Sequence, residues 1–268
     1  MNKKRIIHWV KILLILYAAI GTALYFVQDR LLLHPVAVDA DSAYAFRQPH
    51  RELFLPFDSA TRLHVVQFTV PDSLRKGVVL YFHGNRTNIS RYAPYTTTFT
   101  RNGYDVWMID YPGFGKSTGI FSEEILYEAA LQLYKLARAG HLPQQIIIYG
   151  KSLGTGIATE LAAVRDCRQL ILETPYYGLS ALVGSYLWMY PVNRMMHLQL
   201  PTYRYLPGVT APVTIFHGTE DEVIPYRNAA KLKSLLKKQD RFIAVEGGKH
   251  NTLFNYPVVQ QALDRLLK

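Results

Sequence analysis

The chain opens on one long apolar stretch and then breaks into short apolar runs separated by turn residues. Ile6 to Val27 is apolar except at a few positions, with only His8 and Lys11 strongly polar. Its uncharged part, Ile12 to Val27, is a little shorter than the roughly 20 residues of a full bilayer span. Lys11 lies near one end, where its stem can snorkel, and Trp9 and Tyr25 sit where interfacial aromatics collect. Residues 31–52 show no periodicity and read as a connector. From residue 53 onward, Gly77–Phe82, Tyr104–Ile109, Gln145–Tyr149, Gln169–Leu172, Val213–Phe216 and Arg241–Val245 read as buried strands, and Arg62–Val70 alternates loosely like an edge strand. Ser122 is placed to cap a helix reaching about Ala139, with Glu123 and Glu124 in its first turn. Further helices are expected over the small residues after Gly154, over Asn228–Lys237 and over Pro257–Leu267. Strands alternating with helices predict an α/β domain over residues 53–268: a mostly parallel twisted sheet with helices on both faces.

Composition narrows the picture. Of 268 residues, 49% are hydrophobic and 19% charged, which excludes a disordered chain. A single cysteine, Cys167, rules out an internal disulfide and a cysteine-rich metal site. The net charge is +10. The first thirty residues supply part of it, and the rest is scattered. The short run Lys231 to Lys238 reads as a solvated helix face, so no nucleic-acid partner is expected. No His-Glu-x-x-His or comparable spacing appears, and neither metal nor cofactor is expected.

Lys3, Lys4 and Arg5 head the apolar stretch, as in an anchor or a secretory signal. Gly21-Thr22-Ala23 is a small-x-small triplet that a signal peptidase accepts. The chain nevertheless stays apolar through Leu24, Tyr25, Phe26 and Val27, so residues 1–30 are expected to be an uncleaved anchor. By the positive-inside rule the N-terminus is cytoplasmic and the folded domain lies on the far side, the periplasm in a bacterium.

Four notable sequences fall at the carboxyl ends of strands, where open α/β sheets gather their chemistry. Gly150-Lys151-Ser152-Leu153-Gly154 fits a sharp strand-to-helix turn that lifts a serine hydroxyl clear of the sheet, with the Leu153 N–H facing a developing oxyanion. A serine needs a base to become a nucleophile. His250, in Glu246-Gly247-Gly248-Lys249-His250-Asn251, follows the last strand. His217-Gly218-Thr219-Glu220-Asp221-Glu222 offers three carboxylates that could hold the histidine tautomer. Asp221 is preferred, in part on the resemblance described next, with Glu220 and Glu222 expected in solvent. His83 and His217 precede strand-end glycines and are expected to support loops. His8, His34, His50, His64 and His141 have no special setting.

Together, His83-Gly84-Asn85, Asp110-Tyr111-Pro112-Gly113-Phe114-Gly115-Lys116-Ser117, the Ser152 turn, His217-Gly218-x-x-Asp221 and Gly248-Lys249-His250-Asn251 resemble the α/β-hydrolase superfamily. The resemblance is to its membrane-anchored abhydrolase-domain members, which include depalmitoylases and lysophospholipid lipases, with serine aminopeptidase relatives. It implies an α/β-hydrolase fold with a small lid. It also implies Ser152 as nucleophile, Asp221 as acid, His250 as base, and the backbone N–H groups of Asn85 and Leu153 as the oxyanion hole. Arg86, where such relatives carry a small residue, and Pro112, where they carry Arg or Ser, depart from the pattern.

Between Pro175 and Pro212 lies a stretch rich in Tyr, Met, Leu and Trp. Tyr186, Trp188, Met189 and Met195 are expected either to pack in the core or to line a lid and acyl pocket, since adaptable Met and aromatic side chains suit a lipid tail. The expected activity is hydrolysis of a carboxylic ester or thioester of an acyl, lipid-like substrate. Two alternatives stand beside it. One is a serine peptidase of the aminopeptidase type, for which Glu173 is the nearest carboxylate to read a free amine. The other is a non-catalytic membrane scaffold that keeps the fold.

Overall fold

A computed structural model describes residues 2–268. Ten strands form: β1 (His34–Pro35), β2 (His50–Pro56), β3 (Arg62–Phe68), β4 (Gly77–Phe82), β5 (Arg86–Thr87), β6 (Tyr104–Ile109), β7 (Ile146–Lys151), β8 (Gln169–Glu173), β9 (Val213–Gly218) and β10 (Arg241–Val245). Eight of them build the main sheet in the order β10-β9-β8-β7-β4-β6-β3-β2. From β10 through β6 every pairing is parallel, and β2 and β3 join antiparallel at one side. The fold is the α/β-hydrolase fold.

The central strands are apolar on both faces because both are covered. Val78, Leu80 and Phe82 of β4 and Ile146 and Ile148 of β7 point into one cluster, packed under the helices Glu123–Arg138 and Gly154–Val164. Val79, Tyr81, Ile147 and Tyr149 point the other way, against Ile89, Phe99, Val259 and Leu263. This is the period-2 alternation of strands, here with two cores to fill. Ser122 caps its helix as expected, its side chain accepting the Ile125 N–H at 3.3 Å.

Two expectations change. Arg62–Phe68 is not an edge: all its residues but Arg62 are buried. The edge is β2, which begins at His50, inside the stretch read as a connector, and is only half-buried. The expected helix over Asn228–Lys237 is one α turn, Tyr226–Ala229, continued as a 3₁₀ segment through Leu235.

The N-terminal helix runs from Lys3 to Leu32, thirty residues, and is long and apolar enough to cross a membrane. Gly21 is its one buried residue. Beyond it, β1 pairs in parallel with β5, tying the exit of the helix to the loop after β4. The segment between β8 and β9, the expected lid, holds a helix at Leu179–Tyr186 and short turns at Val192–Met195 and Thr202–Tyr205.

Candidate active site

β7 delivers Ser152 into a backbone conformation that non-glycine residues seldom occupy, with φ of +51°. The surroundings force it. Ser152 N–H donates to the Glu173 carbonyl of β8 at 2.9 Å, and Ser152 O already accepts the Thr155 N–H at 2.9 Å, so the strand becomes a helix within a few residues. Gly154 is required by close approach: a Cβ there would lie 2.1 Å from the Phe82 carbonyl oxygen. At Gly150 it would lie 2.6 Å from the Gly154 oxygen. Such strain persists only where neighbouring structure over-determines it.

The loops after β9 and β10 are fastened to each other. Glu220 N–H donates to the Gly248 carbonyl and Thr219 N–H to the Val245 carbonyl, each at 3.0 Å, and Gly247 N–H donates to Thr219 Oγ1 at 2.9 Å. Gly218 and Gly248 touch so closely that a Cβ on Gly218 would meet the Gly248 oxygen at 2.0 Å. The loops carrying Asp221 and His250 are thereby held to each other.

These loops bring Ser152, His250 and Asp221 into a row. His250 Nδ1–H donates to Asp221 Oδ2 at 2.8 Å, and the Ser152 hydroxyl donates to His250 Nε2 at 2.9 Å. The carboxylate can only accept, which places the imidazole proton on Nδ1 and leaves Nε2 as the acceptor. All three side chains are buried. Asp221 Oδ1 accepts the N–H groups of Val223 and Ile224 at 2.9 and 2.7 Å. Burial alone would raise the Asp221 carboxyl, but the hydrogen bond and charge of His250 and the Ile224 N–H hold it below the ordinary aspartate value. Glu220 and Glu222 are exposed.

The loop after β4 closes the other side. A Cβ on Gly84 would lie 3.5 Å from Ser152 Cβ. Asn85 is held from behind, its side-chain amide donating to the Leu32 carbonyl and its own carbonyl accepting the His34 N–H at 2.9 Å. Leu153 is fixed through its carbonyl, which accepts the Tyr176 hydroxyl at 2.8 Å. Arg86 lies in β5 and is exposed, and Pro112 is buried. Among the described residues no group of His, Cys, Asp and Glu is arranged to hold a metal ion.

Three features escaped sequence reasoning. His64, read as ordinary, is fully buried between Glu52 at 2.8 Å and Asp110 at 3.5 Å. Lys116 pairs with the same Glu52 at 2.6 Å, and Asp110 also receives the Ile89 N–H at 2.9 Å and faces His83 at 3.3 Å. Desolvation works against the Asp110 carboxylate, yet His64 and His83 together keep its pKa low. The partners come from loops and strands far apart in the chain, so no local signal announces the cluster. Second, Lys151 and Glu173, next to the elbow, form a buried ion pair with the Tyr149 hydroxyl also donating to Glu173. Third, two of the four residues expected in a lid or acyl pocket, Met189 and Met195, meet the N-terminal helix. Tyr186, Trp188 and Met189 are exposed, and Met195 lies against Leu24, Tyr25 and Gln28.

Comparison with known proteins agrees with this architecture. A family model described as "Serine aminopeptidase, S33" matches residues 74–206, a stretch that holds Ser152 but ends before Asp221 and His250. The alpha/beta hydrolase domain-containing protein 17C of Xenopus tropicalis is 33% identical over 194 residues, covering 70% of this chain and 59% of that protein. The chain thus spans about three fifths of the length of the curated relatives it matches. Among solved structures, an esterase of Pyrococcus furiosus superposes with a TM-score of 0.68 at 13% identity, covering 88% of this chain and 97% of that one. Mouse alpha/beta hydrolase domain-containing protein 10 gives 0.59 at 18% identity, covering 80% and 96%. With its eight-stranded sheet, its Gly-x-Ser-x-Gly turn and these relatives, the chain belongs to the α/β-hydrolase superfamily as an abhydrolase-domain protein.

Proposed function

We propose that the protein is a serine hydrolase that cleaves carboxylic ester or thioester bonds of acyl, lipid-like substrates through an acyl-enzyme. The observation that carries this reading is the hydrogen-bonded row Ser152–His250–Asp221 at the carboxyl ends of β7, β9 and β10. Ser152 Oγ attacks the acyl carbonyl while His250 Nε2 takes its proton. Asp221, kept ionised by its surroundings, holds the tautomer and stabilises the imidazolium. The Asn85 and Leu153 N–H groups receive the oxyanion, and His250 then protonates the leaving group. Water, activated by the same imidazole, releases the acid. The N-terminal helix anchors the enzyme, its basic end cytoplasmic and its catalytic domain across the membrane, within reach of acyl chains.

The description of the matching family model favours a second reading, an aminopeptidase. That activity needs a carboxylate free to bind a substrate amine. Glu173, the nearest candidate, is 1% exposed and already paired with Lys151 and Tyr149, which speaks for the esterase reading.

A fluorophosphonate probe tests the chemistry. The wild-type protein is expected to be labelled and Ser152→Ala is not; equal labelling of both would leave only a scaffold with a hydrolase fold. A chain-length series of p-nitrophenyl esters beside a panel of aminoacyl amides then separates the substrate classes. Turnover confined to the amides would sink the ester reading.

A further inference from the structure

Between Glu173 and Arg194 the lid carries no charged side chain. Its tip is apolar and outward-facing: Tyr186, Trp188 and Met189 are 57%, 79% and 54% exposed. A soluble domain does not usually gather such residues on one loop without a partner. The same tip packs along the N-terminal helix. The rings of Tyr17 and Tyr190 stack 4.5 Å apart and within 5° of parallel. The Tyr17 hydroxyl donates to the Met189 carbonyl at 2.7 Å, and the Tyr190 hydroxyl donates to the Tyr17 carbonyl at 3.1 Å. Gly21 makes room, since a Cβ there would come within 2.9 Å of the Tyr190 ring. Lower down, Gln28 bridges the two elements, donating to the Met195 carbonyl at 3.1 Å and accepting the His197 N–H at 2.9 Å.

The lid is thereby ruled against the helix like a scale. Gln28 adjoins the end of the uncharged stretch Ile12–Val27, at the level of an interface. Tyr17 lies ten residues inside Val27, about 15 Å along the axis at 1.5 Å per residue. In a hydrocarbon layer about 30 Å thick, that is close to the bilayer centre. A helix that spans the membrane must carry the Met189–Tyr190 tip to that depth or lose the contact. The contact suits lipid, because the Tyr17 hydroxyl and the Met189 carbonyl, and the Tyr190 hydroxyl and the Tyr17 carbonyl, satisfy one another.

We propose that the lid segment Tyr186–Met195 is embedded in the phospholipid bilayer alongside the anchor, seating the catalytic domain on the membrane surface. The proposal rests on the anchor reading of the N-terminal helix. Its occupant is the bilayer, not a protein partner.

The test uses the full chain reconstituted in vesicles of phosphatidylcholine and phosphatidylglycerol brominated near the middle of the acyl chains. The protein has three tryptophans, Trp9, Trp107 and Trp188, and Trp107 is buried in the core. In a W9F background, bromolipid quenching of tryptophan emission therefore reports Trp188. Quenching is expected in W9F and its loss in W9F/W188F, with Tyr17→Ala in the W9F background reducing it by releasing the tip. Equal, negligible quenching of W9F and W9F/W188F would overturn the proposal. Alkaline carbonate extraction separates the two failures. Protein retained in the membrane with Trp188 unquenched sinks the embedded lid alone, whereas protein released by carbonate sinks the anchor reading and the proposal with it.

Discussion

Two regions of this molecule are held together by different physics. Around the Ser152 turn, backbone groups touch: Gly154 against Phe82, Gly218 against Gly248, and a serine at positive φ pinned by β8. At the lid, two aromatic rings, a handful of hydrogen bonds and exposed apolar side chains join the lid to the helix. The difference suits the role proposed for each. Nucleophile and base have to stay within hydrogen-bond reach, and small displacements there are costly. A surface that meets lipid needs apolar area and satisfied polar groups, and tolerates movement.

The largest test of this contrast is chemical. Ser152→Ala should abolish probe labelling, and Asp221→Asn should lower kcat by about 10⁴-fold, because the amide can no longer enforce the Nδ1–H tautomer. A residual rate within tenfold of wild type for either, measured on a p-nitrophenyl ester, would remove the row from the mechanism. Next comes packing. Gly154→Ala sets a Cβ 2.1 Å from backbone, so it should cost both the fold around the elbow and activity, as read by circular dichroism and turnover. A well-folded, active variant would show that the Ser152 turn is less rigid than described. Third, Glu173→Gln strands the Lys151 ammonium in the interior and should destabilise the protein by about 3–5 kcal/mol in urea unfolding. A change below about 1 kcal/mol, the size typical of an exposed pair, would mean that water reaches that pair.

A smaller effect concerns pH. The Asp221 carboxyl sits below its ordinary value in the folded protein, so the unfolded state binds the proton more readily. Its contribution to stability is fully present above the unfolded value near 3.9 and is lost as pH falls through the lower folded value. Asp221→Asn should therefore flatten the stability profile between those two values, and an unchanged slope there would contradict the assignment. The smallest effect sits in neither region. Gly140 has open space where a Cβ would go and no left-handed φ, so Gly140→Ala should raise stability by about 0.4–1 kcal/mol.

How legible the molecule was depends on how local each signal is. The elbow could be read because the strand, the two glycines and the small-residue helix are contiguous. The loops that carry Asp221 and His250 could be read because each follows an apolar strand at a glycine, whereas the choice of Asp221 over Glu220 and Glu222 leaned on the family resemblance. The Glu52–His64–Asp110–Lys116 cluster could not, since its members lie on β2, β3 and the loop after β6. β2 was missed because a half-buried edge strand has little apolar patterning to show.

By itself, the order of apolar runs and glycine-bearing turns determined an α/β sheet with its chemistry at the strand ends, because periodicity and turn chemistry are properties of neighbouring residues. Only the tertiary structure decided that His64 is buried between two carboxylates, that Glu173 is spent on Lys151, and that Tyr190 lies on Tyr17. Those are pairings between distant segments, and nothing in either segment alone records which partner the folded chain will bring to it.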